Sequence, residues 1–457
     1  MDKNIILKTD SYKFSHWKQY PPGITREYSY FEARKSKPIV FFGLQYLLKK
    51  YLTGMVVTQE MVAEAEELVG AHMGPGIFNS EGWTYIAQEL GGRLPIEVRA
   101  VPEGMVVPGG NVLMTVENTD DRCFWLTSYL ETLLSQVWYP SSVATRSYEY
   151  ATEFKRVAAL TGGSEDVSFK LHDFGFRGST SLESAGLGGA AHLLVFRGSD
   201  TMAAAEVLRD YYGAREMPAL SVPAAEHSTI TSWGRDREFD AYRNMLDQFP
   251  TGPVAVVSDS YDIYRAVADG WGQDLKDAVL ARDGQLVVRP DSGYPPEVVV
   301  RVLQELELRF GSVLNERGYK SLNPKVAVLQ GDGMDFEGIQ EVMVAMVEAG
   351  WSTDSVAFGC GGGLLQKVSR STYDFVFKCS QVIVDGVPVN VFKDPVTDPN
   401  KVSKRGRLML SSQGGWCRTL PQDTGGHQDL MVPIFKDGEM LQEWTLSDIR
   451  KRVGMLA

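Results

Sequence analysis

The most regular pattern along the chain is a series of short apolar runs that each stop at charged residues or glycine. Leu286–Val288 ends at Arg289, Pro290 and Asp291, and an unpaired charge is too costly to bury in a dry core. Four further runs share this design: Phe169–Leu171, Pro253–Val257, Val326–Leu329 and Val356–Phe358. Such runs are typical of strands buried on both faces. The pattern predicts parallel strands whose polar carboxyl ends point one way, in a β/α barrel or a doubly wound sheet.

Segments with helical spacing alternate with these strands. In Glu297–Phe310 the residues Val299, Leu303 and Leu306 fall on one face, as in a helix that covers a barrel. The same reading predicts helices at Thr201–Tyr212, Arg235–Gln248 and Phe336–Ala349. We therefore interpret residues 161–379 as a TIM-like β/α barrel that carries the catalytic site.

The two ends of the chain follow a different pattern. Pro95–Val101 and Asn111–Val116 alternate like strands and are joined by glycine-containing turns, which indicates an antiparallel sheet. Cys123–Trp138 is predicted to be one long buried helix. Strand patterns return after residue 380, at Gln381–Val384, Val387–Phe392 and Leu408–Leu410. Residues 1–160 with 380–457 are thus expected to form a second α+β domain, largely an antiparallel sheet, that contributes to a dimer interface.

Composition narrows the functional class. A chain of 457 residues exceeds one compact core, and its net charge of −12 argues against a nucleic-acid partner. The four scattered cysteines suggest reduced thiols in a cytoplasmic protein rather than disulfides or a zinc site. The apolar stretches are too short for a signal peptide or a membrane span, so no membrane partner is expected.

His227 lies among small and hydroxyl residues beside Glu226. Such a histidine suits a proton shuttle or a phosphoryl acceptor, and equally a hydrogen-bonded core position. Arg177, Arg289 and Arg370 each lie near a predicted strand end. Guanidinium groups match phosphates in two-point geometry, although any one of the three alone would favour a surface salt bridge.

Glycine-rich turns follow two of the predicted strands. Gly359–Gly363 and Gly331–Gly333 would let backbone amides approach a phosphate, or would simply make tight turns. Neither is a Walker loop, because no Gly-Lys-Ser/Thr follows at the required spacing. Gly186–Ala191 half-matches a dinucleotide fingerprint, but no strand precedes it, and we interpret it as close helix packing.

Acidic and basic residues add two candidates. Asp259 follows the run that ends at Val257 and could hold Mg²⁺ near a diphosphate, whereas Asp262 is better explained as a helix N-cap. The basic run Lys393–Arg407 has the composition of a solvated face, and within it Lys393 is the residue assigned to the site.

Nine motifs, in order from about residue 4 to 450, resemble the nicotinamide phosphoribosyltransferase family: Asp10–Lys13, Tyr28–Glu32, Gly43–Tyr46, Leu171–Gly178, Ser221–Ser228, Val257–Asp262, Arg289–Gly293, Gln330–Gly333 and Gly361–Lys367. The family fold, a β/α barrel with a second domain from both termini, agrees with the patterns above. The resemblance implies that nicotinamide and 5-phosphoribosyl 1-pyrophosphate react to give nicotinamide mononucleotide and pyrophosphate, in NAD salvage. The alternative is a nicotinate phosphoribosyltransferase of the same superfamily.

The resemblance also implies roles for individual residues. Phe174 and, from the second subunit, Tyr12 would sandwich the pyridine ring, and Asp200 would accept the carboxamide N–H while repelling nicotinate. Arg177 would contact the carboxamide side or the phosphates. The remaining ligands of ribose and phosphate would be Arg289, Asp291, Gly331, Asp332, Gly361, Gly362 and Arg370.

The energetics implied by the resemblance involve ATP as a co-substrate. His227 matches the family histidine that ATP phosphorylates, and Asp259 would lie near Mg²⁺ and the pyrophosphate. Arg34 and Lys393 would reach the phosphates from the partner subunit. These matches imply a homodimer with shared active sites.

Overall fold

The computed structural model describes residues 4–398, 401–414 and 416–456. The chain forms two compact units. Unit 1 comprises Met1–Thr145, Arg209–Ala214 and Val368–Val453. Unit 2 comprises Arg146–Leu208, Arg215–Lys367 and Gly454–Ala457.

Regular secondary structure covers most of the described residues. The strands are β1 (Ile24–Ala33), β2 (Ile39–Val40), β3 (Ile96–Ala100), β4 (Val106–Val107), β5 (Val112–Asn118), β6 (Leu171–Asp173), β7 (Val254–Val257), β8 (Leu286–Arg289), β9 (Ser312–Leu314), β10 (Lys320–Leu322), β11 (Val326–Gln330), β12 (Val356–Cys360), β13 (Phe375–Val384), β14 (Val387–Asn390), β15 (Leu408–Gln413), β16 (Trp416–Pro421), β17 (Val432–Lys436) and β18 (Glu439–Met440). The α-helices are α1 (Leu44–Leu47), α2 (Gln59–Met73), α3 (Ser80–Gln88), α4 (Leu126–Tyr129), α5 (Glu131–Leu134), α6 (Trp138–Thr161), α7 (Leu182–His192), α8 (Met202–Tyr212), α9 (His227–Thr231), α10 (Glu238–Gln248), α11 (Ile263–Arg265), α12 (Lys276–Ala281), α13 (Pro295–Phe310), α14 (Phe336–Glu348), α15 (Gly362–Leu365) and α16 (Leu446–Val453).

A five-stranded parallel sheet forms the centre of unit 2. Its strand order is β6-β12-β11-β8-β7. The register pairs Leu286 with Val326 and Leu171 with Phe358, and all four residues of β7 are buried. Each of the five apolar runs predicted to be a strand contributes to this one sheet. Because neighbouring strands run in the same direction, their polar carboxyl ends meet at a single edge.

Covering helices bury the apolar faces that their spacing predicts. Helix α13 begins with two prolines, Pro295 and Pro296. Proline fits the first turn of a helix because the N–H that it lacks would have no partner there. Gly311, at φ 85°, follows the helix. Its buried face includes Val299, Leu303 and Leu306. Gly186 and Gly189 of α7 lie against α8, where an added Cβ would come within 2.9 Å of Val207 and 2.7 Å of Ala204. The glycines of α7 therefore serve helix packing, as predicted.

The parallel sheet is not closed by regular strands within the described residues. Between β6 and β7 it continues only through single parallel bridges, which join Asp173 to Ser199, Gly198 to Leu220 and Ala224 to Ala255. The fold is therefore mixed α/β, with one large parallel sheet, one large separate antiparallel sheet and, among the described residues, three two-stranded antiparallel sheets (β2-β4, β9-β10 and β15-β16). The predicted closed barrel is not established, because only single bridges connect β6 to β7.

Unit 1 is built on a seven-stranded antiparallel sheet with the order β14-β13-β1-β5-β3-β17-β18. Strand β1 from the start of the chain pairs along its length with β13, so Phe31 lies opposite Phe377. This pairing explains why Val368–Val453 belongs to unit 1, whereas the sequence interpretation placed the boundary at residue 380.

One predicted helix is wrong. Cys123–Trp138 is broken into α4, α5 and a short 3₁₀ turn, and the long helix α6 begins only at Trp138. Pro140 lies in the first turn of α6. Proline lacks the N–H that a helix interior needs, but it fits the first turn, so it marks a helix start there.

The structure also describes the state of the cysteines and the lengths of the helices. All four cysteines are free, and two of them, Cys123 and Cys360, are buried. In the described ranges, no helix is both long and apolar enough to cross a membrane.

Candidate active site

A cleft of about 490 Å³ lies at the edge of unit 2 where the parallel strands end. Loops that follow β6, β8, β11 and β12 supply most of its lining. Nine predicted site residues line it together: Phe174, Arg177, Asp200, Arg289, Asp291, Gly331, Asp332, Gly361 and Gly362. The register of the sheet thus brings residues as far apart in sequence as Phe174 and Gly362, a separation of 188 positions, into one cavity.

Asp200 is held by two side chains through the same carboxylate oxygen. His172 Nε2 lies 2.9 Å from Asp200 Oδ1, and the Ser221 hydroxyl donates to that oxygen over 2.5 Å. Since a carboxylate only accepts hydrogen bonds, His172 Nε2 is the donor. Burial raises the pKa of Asp200, but the hydrogen bonds from His172 and Ser221 outweigh it and leave the pKa below its usual value. Asp200 is therefore an ionised acceptor in the cleft.

Phe174 lies on a floor made of glycine. A Cβ added to Gly359 would stand 2.1 Å from Phe174 Cε2, and one added to Gly331 would stand 3.2 Å from it. The ring of His172 lies 5.0 Å away at an angle of 46°. The glycines after β11 and within β12 thus leave space for an aromatic ring. The sequence alone did not reveal this reason for glycine at the two positions.

His227 begins helix α9 beside the cleft and faces two carboxylates. Its Nε2 lies 3.4 Å from Asp291 Oδ2 and 3.7 Å from Asp259 Oδ1, while Nδ1 lies 3.2 Å from the Ser260 hydroxyl. The imidazole is 46% exposed, so a reagent in solvent can reach it. This exposed environment fits the interpretation of His227 as a proton shuttle or phosphoryl acceptor. It does not fit a histidine in a hydrogen-bonded core position.

Asp259 has the features of a cation ligand. Its side chain is only 4% exposed, Oδ2 accepts from Ser292, and Oδ1 is buried without a hydrogen-bond partner. The nearby Asp332 has a raised pKa, caused first by burial and then by the charges of Asp291 and Asp259. Converging carboxylates with an unsatisfied oxygen fit Mg²⁺, which uses one or two protein carboxylates together with phosphate oxygens. No group of three potential ligands forms a complete metal site in the part of the chain that the structure describes.

Arg289 carries a second unsatisfied atom. Its Nε is buried without a hydrogen-bond partner and lies 3.8 Å from Asp291 Oδ1, beyond hydrogen-bond range. Arg177 is exposed on the cleft wall. A buried guanidinium N–H without an acceptor is costly, so this atom suits a ligand oxygen. By contrast, Asp262 accepts from the backbone of Tyr264 and Arg265, which confirms it as an N-cap.

Four of the predicted site residues belong to unit 1. Tyr12 is 56% exposed and lines a cleft of about 700 Å³ within that unit. Arg34 lies 3.5 Å from Glu32, and Arg370 donates to the Phe375 carbonyl. Lys378 lines the same cleft as Tyr12, and burial lowers its pKa; the charge of Glu131 opposes this shift, and the charges of Arg34, Lys393 and Arg370 add to it. Unit 1 therefore gathers four cations into one group.

Sequence reasoning missed three of these residues. His172 and Ser221 lie inside motifs that were recognised, but nothing local indicates that both reach Asp200. Lys378 lies within strand β13, where a lysine usually marks a solvated face. A signal for His172 existed, since it directly follows the apolar residue Leu171 at a strand end.

Two family models match the chain. The nicotinate phosphoribosyltransferase (NAPRTase) family model matches residues 169–439, and the nicotinamide phosphoribosyltransferase N-terminal domain matches residues 4–98. A protein named nicotinamide phosphoribosyltransferase from Xanthomonas campestris pv. campestris (strain 8004) is 49% identical over 98% of this chain and 97% of its own. The chain belongs to the nicotinamide phosphoribosyltransferase family. A member of that family from Acinetobacter baylyi is 30% identical, again over 98% and 97% of the two chains.

Solved structures agree on the fold. The nicotinate-nucleotide pyrophosphorylase from Pyrococcus furiosus superposes with a TM-score of 0.61 at 17% identity, covering 99% of this chain and 95% of that one. Human nicotinic acid phosphoribosyltransferase gives a TM-score of 0.53 at 16% identity, covering 98% and 94%. At such low identities the likeness concerns architecture alone, which here is the two-sheet α/β arrangement.

The packing of Phe174 leads to a prediction at Gly359. We expect Gly359→Ala to displace the Phe174 ring, because the new methyl group would overlap it. The KM for the pyridine substrate should rise by roughly tenfold, as for the loss of a well-packed aromatic contact. Steady-state kinetics measures this change. Gly70→Ala is a matched control, because a Cβ there meets no atom within 4 Å. An unchanged KM in Gly359→Ala would refute the role given to Phe174.

Proposed function

We propose that this protein is a nicotinamide phosphoribosyltransferase, which condenses nicotinamide with 5-phosphoribosyl 1-pyrophosphate to give nicotinamide mononucleotide and pyrophosphate. The observation that carries the proposal is the cleft of unit 2, where the ionised Asp200 and the ring of Phe174 line the same cavity as Arg289 and Asp291. The family relation to the Xanthomonas campestris protein supports the choice of reaction. The product is a pyridine nucleotide, so the reaction belongs to NAD salvage.

The nicotinamide end of the cleft combines an aromatic surface with a hydrogen-bond acceptor. Phe174 offers a flat face to a flat ring, and Asp200 accepts the carboxamide N–H. Nicotinate would place a second carboxylate against Asp200, and like charges in a partly buried site repel strongly. This repulsion favours the amide over the acid, and nicotinate phosphoribosyltransferase remains the alternative that the assay below separates.

The phosphoribosyl end of the cleft contains the charged side chains of Arg289 and Asp291. The Nε of Arg289 lacks an acceptor in the protein and suits a ligand phosphate or ribose oxygen. Gly331, Gly361 and Gly362 border the cavity with small residues, where backbone amides can approach the 5′-phosphate. As pyrophosphate departs, the ribosyl carbon becomes positive. The carboxylate of Asp291 would stabilise that charge and hold the ribose in line with the pyridine nitrogen.

Mg²⁺ is the expected cofactor. Asp259, with its buried and unpartnered Oδ1, would hold the ion, and Asp332 stands near it. When bound, Mg²⁺ neutralises charge on the leaving diphosphate. Arg177 and Arg289 bind and orient the same phosphates as cations of the protein itself.

ATP enters the proposal through His227. The imidazole is exposed, and Ser260 lies within hydrogen-bond distance of Nδ1. Transfer of the ATP γ-phosphoryl group to the other nitrogen, the unprotonated Nε2, would form an N–P bond, break the bond to ADP and release the Nδ1 proton to solvent. The phosphoryl group would then add oxygen ligands beside Asp259, where Mg²⁺ and the diphosphate are expected. Hydrolysis of the phosphohistidine would return the imidazole to its first state.

A homodimer with shared sites completes the proposal. Unit 1 exposes Tyr12 and gathers Arg34, Arg370, Lys378 and Lys393, a set that suits an aromatic substrate with phosphates. Its edge strand β14 leaves Val387 and Val389 60% and 45% exposed, and an apolar exposed edge is normally covered by a partner. We infer that a second copy covers this surface and receives Tyr12 in its cleft.

The remaining expectations follow from the fold. We interpret the parallel sheet with its three connecting bridges as an incomplete β/α barrel that supports the site at its carboxyl end. The four free cysteines suit a reducing, cytoplasmic location.

The reaction is tested by supplying both pyridines. Purified protein with phosphoribosyl pyrophosphate and Mg²⁺ should convert nicotinamide far faster than nicotinate. Asp200→Ser should lower kcat/KM for nicotinamide by about 10- to 100-fold, as expected when a hydrogen bond to a charged group is lost, and should relax the preference. Chromatography of the two mononucleotides gives both rates. Absence of the amide product, with or without ATP, would overturn the proposal, and a preference for nicotinate would establish the alternative.

The role of His227 is tested separately. His227→Ala should lose the stimulation by ATP while it keeps some basal turnover, because the cleft residues that bind nicotinamide remain. The assay compares product formation with and without ATP, and acid-labile ³²P on the protein reports the phosphohistidine. His72→Ala, which changes an exposed histidine at the end of α2, is the control. An unchanged ATP response in His227→Ala would remove this assignment.

Complementation tests the shared site. Tyr12→Ala and Asp291→Ala should each be nearly inactive as homodimers. Mixed dimers restore one intact site, since the intact Tyr12 of one protomer meets the intact cleft of the other, so equal mixing should recover roughly a quarter of wild-type activity. Co-expression with two different affinity tags isolates the mixed dimer, which should have about half of wild-type activity. Recovery no greater than the sum of the two variants would show that each protomer works alone.

A further inference from the structure

His172 is hydrogen-bonded to the cleft residue Asp200, and the proposed reaction leaves it without a role. It follows Leu171 in strand β6, and its imidazole is 17% exposed. One ring nitrogen, Nε2, donates to Asp200 Oδ1 over 2.9 Å. The other face of the ring is close to the backbone of Gly198, where an added Cβ would lie 2.8 Å from Nδ1. The ring is therefore wedged between the main chain and Asp200.

The backbone around Asp200 is fixed independently of its side chain. The Asp200 amide donates to the Asp173 carbonyl over 3.0 Å, and the Ser199 amide donates to the Leu220 carbonyl over 3.1 Å. The Gly198 carbonyl accepts from the Asp173 amide over 3.1 Å. These bonds determine where Asp200 stands, but they leave its carboxylate free to rotate.

The carboxylate itself is oriented by His172 and Ser221. Both donate to Oδ1, at 2.9 Å and 2.5 Å. Within the described residues no hydrogen bond reaches Oδ2. Because both donors bind Oδ1, Oδ2 is the oxygen left to accept a hydrogen bond from a ligand in the cavity that Asp200 lines.

We propose that His172 is a positioning residue that turns Asp200 so that Oδ2 meets the substrate carboxamide, and that this orientation sets the preference for nicotinamide over nicotinate. The inference rests on the proposed function, because it assigns Oδ2 to the amide N–H of that substrate. A fixed, ionised Oδ2 attracts a donor and repels a carboxylate at the same point, so both halves of the discrimination depend on its orientation. A carboxylate free to rotate can turn away from nicotinate and toward solvent, which weakens both.

If His172 had a purely structural role, its loss would have a different effect on the two pyridines. Its ring lies 5.0 Å from that of Phe174, so loss of the imidazole also loosens the aromatic surface. That surface binds the ring shared by both pyridines. Loosening it would weaken nicotinamide and nicotinate equally and leave their ratio unchanged.

The decisive measurement is the ratio of kcat/KM for the two pyridines in three variants. In His172→Ala the preference for nicotinamide should fall by about tenfold or more, the effect expected of one hydrogen bond to a charged group. His172→Gln keeps a donor of similar reach and should recover part of that preference. Gly198→Ala keeps the histidine but pushes its ring with the new methyl group, and it should also lower the ratio. His72→Asn, an exposed histidine in unit 1, is the control and should keep the wild-type ratio.

Three results would contradict the positioning role of His172. An unchanged ratio in His172→Ala, a proportional loss for both pyridines, or no recovery in His172→Gln would overturn the inference. If His172→Ala does not fold, as judged by thermal melting, Gly198→Ala decides the matter by the same ratio.

Failure of the proposed function would look different. In that case the wild-type protein forms no nicotinamide mononucleotide, and the variants have no ratio to change. Calorimetry of nicotinamide and nicotinate binding to wild type and His172→Ala would still test the orientation of Asp200. Equal changes in affinity for the two pyridines would then overturn it.

Discussion

The parallel register of the five strands in unit 2 is the constraint on which the site depends. Pairing Val326 with Leu286, and Phe358 with Leu171, stops the strands at one common edge. A shift of one residue would exchange the side chains that pack on the two faces of the sheet, so the apolar runs themselves hold this register. Arg289, Asp291 and Asp332 lie at or directly after strands of this sheet, whereas Asp200 follows the single bridge at Ser199. The precision of the chemistry is thus inherited from hydrophobic packing.

That packing also places polar atoms where the protein alone cannot satisfy them. Arg289 Nε and Asp259 Oδ1 are buried without hydrogen-bond partners. Each such atom destabilises a fold by roughly 1–3 kcal/mol, so a ligand that satisfies the pair would stabilise this region. One atom is a donor and the other an acceptor. A ligand with phosphate oxygens and a bound cation would satisfy both, which is why stability and function oppose each other at this edge.

Much of this organisation could be predicted from the sequence, since it is encoded in local periodicity. The five buried strands, helix α13 and the N-cap at Asp262 all follow from residues adjacent in the chain. The contacts that join distant segments could not be predicted in this way. His172 reaches Asp200 across 28 residues, and Lys378 acquires its charged neighbours only through the sheet of unit 1. The break before α6 was missed because apolar helical spacing outweighed the signal of Pro140.

Selectivity in such a cleft depends more on orientation than on the mere presence of a charge. A carboxylate has two equivalent oxygens and rotates easily, so an unsupported Asp200 would present an averaged target to either pyridine. Because His172 and Ser221 occupy the same oxygen, the second oxygen has a fixed direction. A fixed acceptor distinguishes an amide from an acid by attraction to one and repulsion of the other. Discrimination by a single side chain therefore requires neighbours that hold it, and under the proposed role of Asp200 those neighbours would be part of the recognition site.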